Sequence, residues 1–373
     1  RDRDVTGVQT CALPICLVFG IMSDVFLTPG NFANLLTQAA SVIVIAMGLV
    51  FVLLLGEIDL SAGYASGVTG AVLVIMITDH DIAWYWALLT SIAVGALMGF
   101  VLGTLVARFG IPSFVVTLAA FLAFQGILLL LAGEGGTIRI EDPTILAVQN
   151  NNLTPSVSWI FFLVCATLYV ISGLGRINSR RKAGLKSELK KLWVIKTAAL
   201  LAVCGLAVGV LNMERSNNVK LVSLKGIPIV VPVILVLLVG ATFVLSRTAY
   251  GRHIYAVGGN AEAARRAGIN VKNIRTSAFV ICSSFAAIAG MLFASRQNSI
   301  SPTTGGSSTL LYAVGAAVIG GTSLFGGKGK MRDAVLGGLV VAVIDNGMGL
   351  LGYAAGVKFI VTGAVLLISA GVD

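Results

Sequence analysis

The sequence predicts an all-α, polytopic membrane bundle, and three observations carry that expectation. Of its 373 residues 57% are hydrophobic and only 11% are charged, with a mean hydropathy of +0.96. A soluble domain carries about 25% charged residues to wet its surface. Apolar runs long enough to cross a hydrocarbon core of ~30 Å recur along the chain. The chain also holds 44 glycines, several at small-xxx-small spacing, which lets helix backbones approach closely in lipid. A soluble enzyme, a secreted disulfide scaffold and a disordered regulator are excluded together.

Taken in order, the apolar segments fall at about 38–56, 61–78, 87–107, 112–132, 157–173, 197–211, 228–245, 276–294, 308–321, 333–350 and 357–371. A shorter run, 16–27, precedes them and is too short to span alone, which points to a truncated first helix. The expectation is 10–12 transmembrane helices, some interrupted, in two repeat-like halves. Residues 1–15 (RDRDVTGVQTCALPI) have no helical periodicity and no signal-peptide pattern, and resemble translated sequencing-adapter read-through. They are read as a non-native stretch, with 16–373 as a single transmembrane domain. The chain stops at the end of a hydrophobic run, so a C-terminal tail is expected to be missing as well.

The formal charge of +10 is concentrated. Of 26 Lys and Arg, eight lie in the stretch 176–196 and six in 246–276. Basic loops are retained on the cytoplasmic side during insertion. Both stretches are therefore placed inside as cytoplasmic loops, and alternation puts 133–156, 212–227 and 295–307 outside and both termini inside. The outside segments are rich in Asn, Pro, Thr and Gly, which suits exposed turns. A nucleic-acid partner would instead need clustered charge on a wettable face, and none is expected. Five cysteines without paired spacing and two histidines leave no sequence basis for a metal site.

Within the apolar segments, Gly95, Gly99 and Gly103 form a tandem packing face. Two glycine-bounded motifs interrupt helices: GEIDLSAG at 56–63 and GGTSLFGG at 320–327. Aligned without gaps they share Gly56/Gly320, Leu60/Leu324 and Gly63/Gly327, which marks them as candidates for an internal repeat. Interrupted helices in corresponding halves point to a transport pathway, so Glu57, Asp59, Ser61, Thr322 and Ser323 are its candidate residues. A carboxylate at membrane depth is costly and by default functional. Asp59 has a second available role, as the cap of the helix that follows the break. Asp345 and Asn346, within the run 333–350, are expected to make a buried interhelical hydrogen bond.

The glycine-rich stretch 320–330 is not a nucleotide site. A P-loop needs Gly, four residues, then Gly-Lys-Ser/Thr, and neither Lys328 nor Lys330 has that spacing or a following hydroxyl. No nucleophile triad or zinc-protease motif occurs, so an enzyme is not expected. In the loop 246–276, Asn260 followed by AEAARRA and closed by Gly268 predicts a short capped helix. It is either a docking element or an ordinary basic loop.

Together GEIDLSAG (56–63), IPSFVVTL (111–118), YAVGGNAEAAR (255–265), GGTSL (320–324) and DNGM (345–348) resemble the permease subunits of bacterial sugar ABC importers of the ribose, xylose and galactose type. Glu57, where the ribose branch has glycine, and the basic insert with its extra helix pair are similar to the D-xylose branch. Lys328, Lys330 and Arg332 depart from the family pattern. The resemblance implies a homodimeric permease in the bacterial inner membrane, a periplasmic sugar-binding protein outside and a separate cytoplasmic ATPase subunit. It implies no cofactor on this chain, with ATP on the partner. It also implies that Asn260, Glu262, Ala263, Ala264, Arg265 and Gly268 contact that ATPase. The alternatives are an ion-coupled secondary transporter using Glu57 and Asp59, and a passive channel.

Overall fold

The structure, a computed structural model, describes residues 14–133, 136–182, 184, 190–216 and 223–371. The stretch read as non-native therefore lies, for residues 1–13, outside the described residues. Residues 14–22 are helical (α1), and the chain continues through α2 (Pro29–Leu53), α3 (Ala62–Thr78), α4 (Trp84–Ala107), α5 (Ser113–Ala132), β1 (Ile138–Arg139) and α6 (Pro143–Asn150). Next come α7 (Pro155–Lys182), α8 (Lys190–Leu211), α9 (Val230–Arg247), α10 (Ala249–Gly259), α11 (Ala261–Arg266) and α12 (Val271–Gln297). The series closes with β2 (Ser299–Ile300), α13 (Ser307–Ile319), α14 (Met331–Leu350) and α15 (Ala355–Gly371).

Every one of the eleven apolar segments forms a helix. Among the described residues eight helices are long and apolar enough to cross a membrane, and three shorter apolar helices accompany them. The basic stretch 176–196 is not simply a loop: α7 runs to Lys182 and α8 starts at Lys190. Long basic side chains extend to the interface from a helix end, so the helix continues past its apolar run. The outer faces remain apolar and uncovered, as at Leu130, Leu206 and Val236, which is the surface lipid requires.

Helix α2 is the centre of the bundle. Thr28 caps its start by accepting the Asn31 N–H, Pro29 occupies the first turn, and residues 43–53 are all buried. Helix α12 crosses it, with the Cβ position of Gly48 2.8 Å from Phe285 Cβ and 3.0 Å from Cys282 O. On the other side of α12 lies α4, antiparallel to it: Gly103, Gly99 and Gly95 meet Thr276, Phe279 and Ser283 in turn. The Cβ positions of Gly103 and Gly95 fall 2.7 Å from Thr276 Cα and 2.6 Å from Ser283 O. No larger residue fits there without displacing backbone.

Helices α3 and α13 are short for a reason. Seventeen and thirteen residues rise only about 25 and 20 Å at 1.5 Å per residue, because each begins inside the bundle rather than at its surface. Before α3 the chain leaves α2 and turns through 54–61. Before α13 it leaves α12, pairs Ile300 and Ser299 with Ile138 and Arg139, and dips inward through buried Thr304, Gly305 and Gly306. The two interruptions meet where Gly63 packs on Gly305 and Gly67 on Thr304.

These units are inverted copies. Helix α12 packs on α4 as α2 packs on α14, α12 on α3 as α2 on α13, and α3 on α5 as α13 on α15. The structural counterpart of 54–61 is therefore 298–306, not the motif at 320–327. That corrects two expectations: the paired motifs are not the repeat, and 295–307 is not merely an exposed turn. Sequence identity between glycine-bounded motifs reported the need for tight backbone packing, which both share, rather than symmetry.

The ends of the bundle are distinct. At one, β1 joins β2, Asn152 bridges Pro228, and the Leu153 N–H donates to Ile227 O at 2.8 Å, so described parts of 133–156, 212–227 and 295–307 lie together. Asn31 and Asn346 also meet near this end through two reciprocal amide hydrogen bonds of 2.9 Å. Gln38 donates to Asp345, whose carboxylate also faces Lys358 Nζ at 3.5 Å. The opposite end carries α10 and α11 together with both glycine motifs.

Candidate functional site: the interrupted helix and the short helices packed on it

The break after α2 is made by its own residues. Gly56 adopts φ +72°, a conformation open to glycine, and its N–H still bonds Leu53 O at 2.9 Å. Asp59 is fully buried, and its Oδ1 accepts the Ser61 N–H at 2.9 Å and the Ser61 hydroxyl at 2.6 Å. The Cys282 thiol lies beside the same carboxylate. These contacts make a turn just ahead of α3, whose N-cap residue is Ser61, with the carboxylate near the positive end of that helix's dipole. The neighbouring Ile58 is held on both sides: its N–H donates to Ser113 Oγ and its carbonyl accepts Thr117 Oγ1, at 3.3 and 3.2 Å.

Glu57 points the other way. Its Oε1 lies 3.2 Å from Nε of Arg275, with the two side chains 13% and 31% exposed. Arg275 sits in the first turns of α12, directly after the short helices.

The second glycine motif packs on the first. Gly327 donates its N–H to Leu54 O at 2.8 Å, and the Cβ position of Gly56 is 3.3 Å from Phe325 O. Thr322 and Ser323 are buried in this turn; the Ser323 hydroxyl accepts the Phe325 N–H, and its own N–H donates to Lys328 O. The five residues proposed to line a pathway are thus brought to one end of the bundle. Two cavities of about 560 and 320 Å³ lie at the opposite end, near Asn34 and Arg215.

The short helices α10 and α11 complete the arrangement. Asn260 ends α10 and caps α11, its Oδ1 accepting the Ala263 N–H at 2.9 Å. Gly268, at φ +83°, turns the chain towards α12. Ala264 is buried, whereas Glu262, Ala263, Arg265 and Arg266 are exposed, with Glu262 pairing both arginines at 2.9 and 3.3 Å. The exposed surface of α11 is therefore a small alternating patch of one acid and two bases around Ala263.

Sequence reasoning missed how this element holds the hinge. Gly258 lies so close to Leu54 that a side chain would collide with the Leu54 carbonyl. The Tyr255 hydroxyl donates to Gly329 O at 2.7 Å. Burial, with the charge of Asp333 nearby, pushes that hydroxyl up from its ordinary value and keeps it a donor. Tyr250 joins the same helix to Ser277 of α12 at 2.9 Å. Tyr255 and Gly258 stand within the motif 255–265, whereas in the sequence Arg275 is only one of the six bases of the loop 246–276.

Inverted, interrupted helix pairs in a multi-pass bundle are the architecture of a membrane transport component, and the matching family and relatives are permease components, transport subunits rather than enzymes. The chain belongs to the family described as branched-chain amino acid transport system permease components, matching it over residues 31–370. It is 37% identical to the xylose transport system permease protein of Escherichia coli K12, over 97% of this chain and 89% of that one. It is 34% identical to the protein of the same name in Haemophilus influenzae, over 96% and 93%. With the ribose import permease protein of Escherichia coli K12 the identity is 28%, over 97% and 91%. No solved structure matches the chain.

Proposed function

We propose that the chain is the membrane-spanning subunit of an ATP-driven monosaccharide importer of the bacterial inner membrane, with D-xylose as its sugar. It works as a homodimer. A sugar-binding protein docks at the end that carries β1 and β2, and an ATPase subunit docks on α10–α11. Both termini lie on the ATPase side, and the chain itself binds no cofactor; ATP is held by the partner. The observation that carries this reading is the clamp between the exposed α10–α11 element and the hinge of the interrupted helix. An exposed helix of this kind is suited to receive a push from a partner and pass it to the bundle. The full-length similarity to xylose permeases supports the sugar.

Mechanistically, movement at α10–α11 shifts the end of α2 and the turn after α13 that packs on it, and with them α3 and α13, the helices that start at the crossing of Gly63 and Gly305. Only contacts that differ between the inward- and outward-open states can couple the partner's cycle to the bundle. The ion-coupled alternative gains no support from the relatives, which are named as xylose and ribose transport permeases. Reconstitution decides the matter. Proteoliposomes holding the permease, the ATPase and the binding protein should take up D-xylose only with ATP, and an uncoupler should leave uptake intact. Concentrative uptake by the permease alone, or its loss to an uncoupler while ATP is maintained, defeats the proposal. Uptake of D-ribose in place of D-xylose would defeat the sugar assignment only.

A further inference from the structure

We propose that Glu57 and Arg275 are a positioning pair that transmits the docking helices' movement to the interrupted helix. This rests on the ATP-driven reading above and names the route by which that reading works.

Three kinds of contact join the docking unit to the hinge, and they differ in what they can do. The first is backbone on backbone. Gly258 abuts the Leu54 carbonyl, which also accepts the Gly327 N–H. Without a side chain between them, a displacement of α10 reaches the end of α2 with no rotamer to absorb it. The second is the Tyr255 hydroxyl on Gly329 O, which ties α10 to the turn leading into α14. Both are steric or neutral and hold the parts together in either direction.

The third is the ion pair. Arg275 belongs to α12, which is joined to α10 by the Tyr250–Ser277 hydrogen bond and to α11 through only residues 267–270. Glu57 lies between the end of α2 and the cap of α3, so it moves with the hinge. The pair is partly withdrawn from water, with Glu57 the more buried partner. Separating such charges is costly unless each finds a new partner, so the pair favours one arrangement of hinge and docking unit over another. Asp59 does not share the task, being engaged by Ser61 on the far side of Ile58. The hinge thus has one acid bound to Ser61 at the start of α3 and a second acid that reports the position of α12.

The test uses the assembled complex with the ATPase and the binding protein in proteoliposomes, and reads sugar taken up per ATP hydrolysed. Glu57→Gln and Arg275→Gln should each lower that ratio about tenfold, the size typical of coupling between sites, while the ATPase rate stays near wild type. The double variant should be no worse than either single one. The reversed pair, Glu57→Arg with Arg275→Glu, should recover most of the ratio. Tyr255→Phe, which removes one hydroxyl and no charge, should leave the ratio within about twofold if the ion pair is the state-selective contact. A ratio unchanged in the single variants overturns the proposal. So does parallel loss of uptake, ATPase activity and complex assembly that the reversed pair fails to mend, since that marks a purely structural contact. If the wild-type complex itself shows no ATP-driven uptake, the functional reading fails and this inference falls with it; if the wild type pumps and the variants keep its ratio, only the pair is lost.

Discussion

Gly63 and Gly305 face each other backbone to backbone inside the bundle, each so close that a Cβ on either would collide with the other's carbonyl oxygen. One lies in the first turn of α3, just past the interruption that follows α2, and the other in the interruption that follows α12. Their contact is where the inverted units cross. Gly63→Ala should therefore be destabilising by about 1–3 kcal/mol, the usual cost of overpacking. Gly305→Ala should be worse, because that residue also sits at φ +73°. Thermal unfolding of the purified protein in detergent checks the order: both variants below wild type, with Gly305→Ala lowest. Equal unfolding temperatures for all three would contradict the crossing.

Glycines in this chain are not equivalent, and a matched pair makes the distinction measurable. On α4, a methyl at Gly99 would strike the Phe279 carbonyl of α12. On α5, a methyl at Gly126 meets nothing within 4 Å. Gly99→Ala should lower the unfolding temperature. Gly126→Ala should leave it unchanged or raise it, because alanine is favoured over glycine in a helix by about 1 kcal/mol. The same substitution with opposite signs on two helices separates packing from propensity.

How far the sequence revealed this arrangement depends on what each feature needs from distant residues. The helices were legible because hydropathy is local, and each apolar segment suffices to announce itself. The grouping of loops at the two ends was legible from basic residues in 176–196 and 246–276. The capped helix after Asn260 was legible because its cap and its stop, Gly268, are both local. The re-entry at 298–306 was not: its Asn, Ser, Pro and Thr residues have the composition of a surface turn, and only pairing with β1 and packing on α3 draw it inward. Glu57 was visible as an anomaly, but its partner was not, because Arg275 is remote in sequence and looks like any other loop charge. Asp59 has two roles open to it in the sequence, and what the sequence does not show is that its Oδ1 is taken up by the N–H and hydroxyl of Ser61 just ahead of α3.

The reciprocal amide pair of Asn31 and Asn346 fixes α2 against α14 near one end of the bundle. Each side chain donates to the other at 2.9 Å, and Asn31 Nδ2 also reaches Phe26 O. Both residues are buried. Removing one partner leaves the other's polar atoms unsatisfied, at a cost of about 1–3 kcal/mol. Asn346→Leu should thus lower the unfolding temperature, and Asn31→Leu should do so as well. The double variant should be less destabilised than the sum of the two, since neither stranded amide then remains on the partner helix. Strict additivity would mean that the two amides do not interact in the protein.

Beyond the end of α8, Glu214 organises the loop by accepting hydrogen bonds from the Ser223 hydroxyl at 2.7 Å and from the Leu224 N–H at 2.9 Å. The Ser216 and Arg215 N–H groups, both at 3.1 Å, add to these, and Lys225 Nζ stands 3.5 Å away. The Ser223 hydroxyl first, and then the backbone donors, pull its carboxyl down from 4.5 to about 2. A carboxylate held below its unfolded value stabilises the folded loop at every pH above that unfolded value. Its contribution is lost as the pH falls from about 4.5 towards 2, where the folded form takes up its proton. Hydrogen exchange at the Ser216 and Leu224 amides, corrected for the intrinsic pH dependence of exchange, should lose protection across that window. In Glu214→Gln, protection at both amides should be lower at neutral pH and should show no step on acidification. A wild-type loop whose protection stays flat down to pH 2 would show that these donors do not depend on the charge of Glu214.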